Sequence, residues 1–422
     1  MEITVTSLGA ILGLVLTIIL IFLKIPAVYS LMIGALLGGL IGGANLSNTI
    51  SLMTEGAGSM MTTVLRILAA GVLAGVLIKS KAADSIAQKI IDILGEKKAL
   101  LSLSIATMIL TTVGVFVDIS VITVAPIALA IANRLNISKA AILLAMIGGG
   151  KAGNIMSPNP NAIAVSSAFK TPLTSVMASG IIPAIFGIIM TFLLASYLHD
   201  KGSMVNEEEL EISNDKDELP SFSKSIVGPL VAILLLALRP LFNINIDPMI
   251  ALPLGGLFGA IAMGKVKNLL DFSSYGLNSM VNVAIILIGT GTIAGIIQNS
   301  NLGNDIIKSI ESLGLPLFIL APVSGILMSA ATASTTSGST VASEVFGPSL
   351  LKSDVSALAS ASMLHSGATV LDHLPHGSFF HATGGSVKMA FKERIKLIGF
   401  ESLVGLTMTM VATILYGIIG II

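Results

Sequence analysis

GAGSMMTTVLRILAAGVLAGVLIKS (residues 56–80) and GLNSMVNVAIILIGTGTIAGIIQNS (residues 276–300) align without a gap, at an offset of 220. Ser59/Ser279, Met60/Met280, Gly71/Gly291, Gly75/Gly295 and Ser80/Ser300 coincide. Agreement over so long an apolar stretch marks an internal repeat, and the pattern extends both ways. ALLGGLIGG (35–43) matches LPLGGLFGA (252–260). An amphipathic segment follows each copy: Ala82–Leu94, with Ile86, Ile90 and Ile93 assigned to one helical face, and Asp305–Leu313, with Ile306, Ile310 and Leu313. Segments of this kind are expected in the membrane interface. Further on, a helix broken at Gly153 matches one broken at Gly367, at an offset of 214.

Composition sets the class. Of 422 residues 54% are hydrophobic and only 11% charged, less than half the share of a soluble chain. Apolar runs approaching the ~20 residues of a bilayer crossing recur from end to end. The expectation is an all-α polytopic membrane protein. Lysine plus arginine equals aspartate plus glutamate at 23 each, so no basic excess points to nucleic acid. Cysteine is absent, which removes disulfides, thiolate metal sites and cysteine nucleophiles. Five histidines without zinc-type spacing give no metal centre. Met1–Lys24 lacks a basic leader region and reads as a retained first span.

The first repeat is expected over residues 1–199 and the second over 225–422, joined by an acidic linker, 200–224, containing Glu207-Glu208-Glu209-Leu210-Glu211. Spans are expected at Leu8–Leu23, Ala27–Gly43, Ser59–Ile78 and Val176–Leu198. Residues 98–133 and 315–352 are too polar in the middle for plain spans and read as re-entrant hairpins. Residues 138–169 and 354–384 read as broken helices. Each repeat then crosses the membrane five times, and an odd number inverts the second copy. Charge supports this. With both termini outside, four basic residues (Lys170, Arg239, Lys308, Lys352) fall outside and two (Arg66, Lys151) within the membrane, leaving 17 of the 23 inside.

Non-helical backbone survives at membrane depth only where protein buries it or water reaches it. Two broken helices in inverted repeats therefore meet near the midplane, where half-helix ends can hold an anion. From the first break the candidate substrate contacts are Lys151, Gly153, Asn154, Ser157, Asn159 and Asn161. The second break supplies His365, Gly367, Thr369 and His376, and four of the five histidines lie within 365–381. The second hairpin tip adds Ser334, Thr335, Thr336 and Ser337, short donors and acceptors suited to a hydroxylated ligand. Lys151 reads as the partner of a substrate carboxylate, or alternatively of Asp372. Charges at the bilayer centre are costly and mark function or pairing. Asp372 with His373 leads as the proton carrier, followed by the hairpin acids Asp118 and Glu344. Arg66 has Ile286 as its counterpart and reads as snorkelling to the outer surface.

GKAGNIMSPNPNAIAVSSAF (150–169) and LHSGATVLDHLPHGSFFHATGG (364–385) resemble the signature regions of the gluconate permease (GntP) family, and the resemblance covers essentially the whole chain. It implies a bacterial inner-membrane proton symporter for gluconate or another small organic acid (D-serine, hydroxybutyrate, glycerate). It also implies a place in the ion-transporter superfamily, whose members are homodimers that work by an elevator-like movement. The Ser-Asn-Thr pair of the sodium-coupled carriers is missing, so sodium is not the expected coupling ion. No cofactor is expected beyond the proton. Ser366 and Ser378 have histidine neighbours, but without a nucleophile elbow or paired catalytic aspartates an intramembrane hydrolase is not supported.

Overall fold

A computed structural model describes residues 5–95, 98–207, 219–244, 246–352 and 354–422. Residues 208–218 of the acidic linker, with most of its glutamate run, lie outside the described residues. The first half runs α1 (Ser7–Phe22), α2 (Ala27–Ile41), α3 (Leu46–Ser59), α4 (Met61–Lys79), α5 (Ala82–Leu94), α6 (Ala99–Thr112), α7 (Val117–Leu135), α8 (Lys139–Asn154), α9 (Pro160–Ala168), α10 (Leu173–Ser179) and α11 (Ile181–Tyr197). The second half runs α12 (Phe222–Ser225), α13 (Val227–Phe242), α14 (Pro248–Ala262), α15 (Leu269–Gln298), α16 (Leu302–Ser312), α17 (Leu320–Thr332), α18 (Thr335–Leu350), α19 (Ala357–Gly367), α20 (Ser378–Ser386), α21 (Phe391–Lys396) and α22 (Ile398–Ala412). Among the described residues the only β-type pairing is an isolated bridge between Val5 and Ser300. Among the described residues six helical stretches, including Leu46–Lys79, Val266–Gln298 and Phe391–Ile418, are long and apolar enough to cross a bilayer.

Glycine brings the two halves together. A Cβ on Gly71 would sit 2.6 Å from the Gly276 carbonyl oxygen, and one on Gly56 would sit 2.1 Å from that of Gly291. The 220-residue offset turns the first pair into the second. It does the same for Gly75 against Phe272 (2.2 Å) and Gly295 against Leu52 (2.1 Å). Residue numbers rise on α3–α4 as they fall on the facing α15, so these helices pack antiparallel. Without side chains at the crossing the backbones approach closely, the usual means of helix association in lipid. Gly276→Ala would place its Cβ 1.9 Å from the Gly71 oxygen. It should therefore cost about 1–3 kcal/mol through overpacking, whereas Gly58→Ala, with nothing within 4 Å, should leave the melting temperature unchanged. Equal melting of both variants would contradict this reading of the crossing.

Two local readings change. Asn45 caps an additional helix, α3, accepting from the Asn48 N–H at 2.8 Å. The span expected at Ser59–Ile78 is therefore the second part of a longer stretch bent at Met60. In α5 the inward face is Ile86, Ile90 and Ile91, while Ile93 is 68% exposed; α5 packs against α6 and α7.

Around this crossing each half adds a hairpin and a broken helix. The α6–α7 hairpin turns at Gly114 (φ +106°), a backbone angle that suits glycine, and α17–α18 turns at Ala333 (φ +46°). The α6 arm lies on α8, where a Cβ on Gly153 would meet the Met108 oxygen at 2.2 Å. The α17 arm lies on α19, where one on Gly367 would meet the Pro322 oxygen at 2.4 Å. Met108 and Pro322 are again 214 apart. Every residue of α8 is buried, which its run of alanine and glycine permits.

Candidate functional site

Four helices begin at one place. Asn159 caps α9, accepting from the Ala162 N–H at 3.1 Å, and Ser334 caps α18, accepting from the Ser337 N–H at 3.2 Å. The starts of α7, at Phe116, and α20, at Gly377, join them. All four border a cavity of about 660 Å³. The opening N–H groups of a helix have no intrahelical acceptor, and each helix start carries about half a positive charge. The head of α2, at Pro26–Val28, borders it too, so the cavity presents several positive dipole ends, yet neither lysine nor arginine lines it.

Of the residues singled out in the sequence, Asp118, Asn154, Asn159, Asn161, Ser334, Thr335, Thr336, Ser337, Asp372 and His376 border this cavity. Asn159 also holds the first break in shape, donating from Nδ2 to the Asn154 carbonyl at 2.9 Å. His376 Nε2 lies 3.2 Å from the Ala331 oxygen. Asp118 accepts from the Ile119 N–H at 2.9 Å and pairs with no cation among the described residues.

The other candidates stand elsewhere. Gly153 and Gly367 are helix crossings, and Ser157 is fully buried, its hydroxyl without a partner among the described residues. Thr369 supplies a carbonyl to Lys151 rather than a hydroxyl to the cavity. His365 is tied to Asn161, Nε2 to Nδ2, at 2.7 Å. Glu344 borders a separate cleft with Arg66 and Lys170. Arg66, read from the sequence as snorkelling, instead grips Asp247 with Nε and Nη2 (2.6–3.1 Å) and reaches Ser167 with Nη1 at 3.1 Å.

Lys151 takes the second of its two sequence readings, partner of Asp372 and not ligand of a substrate anion. It is 1% exposed, and its three N–H donors go to Thr369 O at 2.6 Å, Asp372 Oδ1 at 2.5 Å and His373 Nδ1 at 2.8 Å. No donor remains for a substrate. His373 Nδ1 also lies 3.0 Å from Asp372 Oδ1, and its Nε2 lies 3.0 Å from the Ile398 oxygen. Asp372 Oδ2 accepts from the Thr335 hydroxyl at 2.5 Å. The lysine of the first break and the histidine at the matching position of the second each reach across to the other break. These reciprocal ties fix the helix starts that form the cavity.

Sequence reading missed the rest of this buried chain. Glu401, fully buried on α22, lies 3.9 Å from His373 and forms a two-pronged pair with Arg394, also fully buried, on α21. Glu401 is an acid within an apolar span, which is itself a signal. Ser279 and Asn282 on α15 form the cavity's facing wall; their polarity inside an apolar helix was the available clue.

Comparison with known proteins fits this arrangement. The GntP family permease pattern matches residues 1–419. The chain belongs to the GntP permease family. An uncharacterized transporter of Haemophilus influenzae is 63% identical over 89% of both chains. A protein of Pseudomonas aeruginosa named gluconate permease is 24% identical over 47% of this chain and 45% of its own. Among solved structures, the Alcanivorax borkumensis YdaH transporter, described as having an unusual topology, superposes with a TM-score of 0.65 at 15% identity, covering 97% of this chain and 98% of that one; the likeness is one of fold. The permease is therefore a membrane transporter and not an enzyme.

Proposed function

We propose that the permease is a secondary active transporter that imports gluconate, or a related small hydroxylated monocarboxylate, with protons across the bacterial inner membrane. The observation that carries this reading is the convergence of several helix starts on one lysine-free cavity. Such ends favour an anion, while Asn154, Asn161, Ser334, Thr336 and Ser337 offer amides and hydroxyls to a polyol chain. The relative named gluconate permease points the same way.

Coupling is assigned to Asp118 in preference to Asp372. Asp372 is held by Lys151 and Thr335, whereas Asp118 faces the cavity without a cation. A substrate carboxylate and an ionised Asp118 in one small cavity repel each other. The anion therefore enters most easily when Asp118 carries a proton, and the two travel together. Access from alternate sides is ascribed to inverted repeats moving in an elevator-like way. The reciprocal glycine pairs support this, since each maps onto the other under the repeat offset.

Proteoliposomes given an inward proton gradient should accumulate radiolabelled gluconate, and a protonophore should abolish the accumulation. Uptake that instead follows a sodium gradient would contradict proton coupling. The same reading puts both termini outside and residues 200–224 in the cytoplasm. Ser223→Cys, exposed and in a cysteine-free chain, should escape an impermeant reagent added to intact cells and react once the cells are opened. Labelling in intact cells would refute the topology.

A further inference from the structure

The cavity and the cleft that holds Arg66 have matching walls. On α15 the cavity is bordered by Ser279, Met280, Asn282, Val283 and Ile286. The cleft is bordered by Ser59, Met60, Thr62, Thr63 and Arg66, of about 680 Å³ in all. These are the same five positions of the repeat, 220 residues apart. The starts of two further helices match as well: Pro26, Ala27 and Val28 at the head of α2 border the cavity. Asp247 and Pro248 at the head of α14 lie beside Arg66.

We propose that the α4 face is the second wall of the substrate site, used when the carrier opens to the opposite side, and that Arg66 gives this wall an anion contact the α15 wall lacks. The inference rests on the alternating movement proposed above. Two observations select Arg66. It stands where the other wall has Ile286, so one wall carries a guanidinium, paired with Asp247, where the other is apolar. Its Nη1 donor is spent on Ser167 at the end of α9, whereas the substrate cavity lies at the start of that helix. When α9 moves relative to α4, that donor is released to a carboxylate, while Nε and Nη2 stay on Asp247. The carrier then holds its anion more firmly when facing α4 and releases it more readily when facing α15.

Cross-linking tests the walls independently of substrate. With a short bifunctional thiol reagent, Thr336→Cys/Asn282→Cys should link across the present cavity. Val117→Cys/Thr62→Cys, the corresponding hairpin start and wall position of the other half, should link in the same membranes. Formation of the first link without the second overturns the proposal, whatever the substrate. The role of Arg66 is read in oriented vesicles with radiolabelled gluconate. Arg66→Ile should raise the half-saturating concentration about ten- to a hundred-fold at the α4-facing side, as loss of a charge-assisted contact implies, and leave the other side unchanged. Arg66→Lys should recover most of the loss. An equal shift on both sides, or none, assigns Arg66 to structure alone. If the wild-type protein fails to move gluconate while both links form, the substrate assignment falls and the two-wall site stands.

Discussion

Replacing Lys151 by glutamine will destabilise the folded permease by about 3–5 kcal/mol, the usual consequence of removing one partner from a buried ion pair. The amide has two donors for three acceptors and brings no charge, so Asp372 is left as an uncompensated carboxylate among buried groups. In detergent this should appear as a large fall in melting temperature. The double variant Lys151→Gln/Asp372→Asn removes both charges and should recover a substantial part of the loss. A Lys151→Gln protein that melts like wild type but binds gluconate poorly would return Lys151 to the role its sequence suggests. The structure predicts the opposite division, with stability lost and the cavity's own anion contacts intact in whatever protein folds.

Asp118→Asn will separate exchange from accumulation. Asparagine resembles the protonated carboxyl in shape and hydrogen bonding, so the cavity should accept an anion without first taking up a proton. Vesicles loaded with gluconate should exchange it for external label at a rate that no longer rises as the medium is acidified. Net accumulation under an imposed proton gradient should vanish. If the Asp118→Asn carrier still concentrates gluconate in response to acid outside, Asp118 is not the coupling group. Asp372 and Glu344 would then be the remaining acids to test.

The architecture was legible because apolar length, glycine spacing and broken helices are local properties that a chain displays without its neighbours. Residues 56–80 and 276–300 announce the repeat, and the polar strings at 151–161 and 365–378 announce the breaks. Partner choice is not local. Lys151 could serve a ligand or a carboxylate with the same sequence, and only the approach of Asp372, 221 residues away, decides between them. Glu401 and Arg394 escaped for a related reason: the acid sits inside an apolar helix while the arginine lies in a segment read as a cytoplasmic loop. Ile93 shows a smaller failure of the same kind, since the helices that pack on α5 turn its buried face to Ile91 instead.

The cation-free cavity, with every fixed charge behind it compensated, has an electrical consequence. On the coupling proposed here the empty carrier would cross with Asp118 ionised, and the loaded carrier with Asp118 neutral and one anion in its place. With one proton per anion, the moving body bears the same charge on both legs of its cycle. The membrane potential, worth about 2.3 kcal/mol per elementary charge per 100 mV, then does no net work on transport. Such a carrier draws on acidity alone, and a cell that keeps its voltage but loses its pH difference would lose the nutrient.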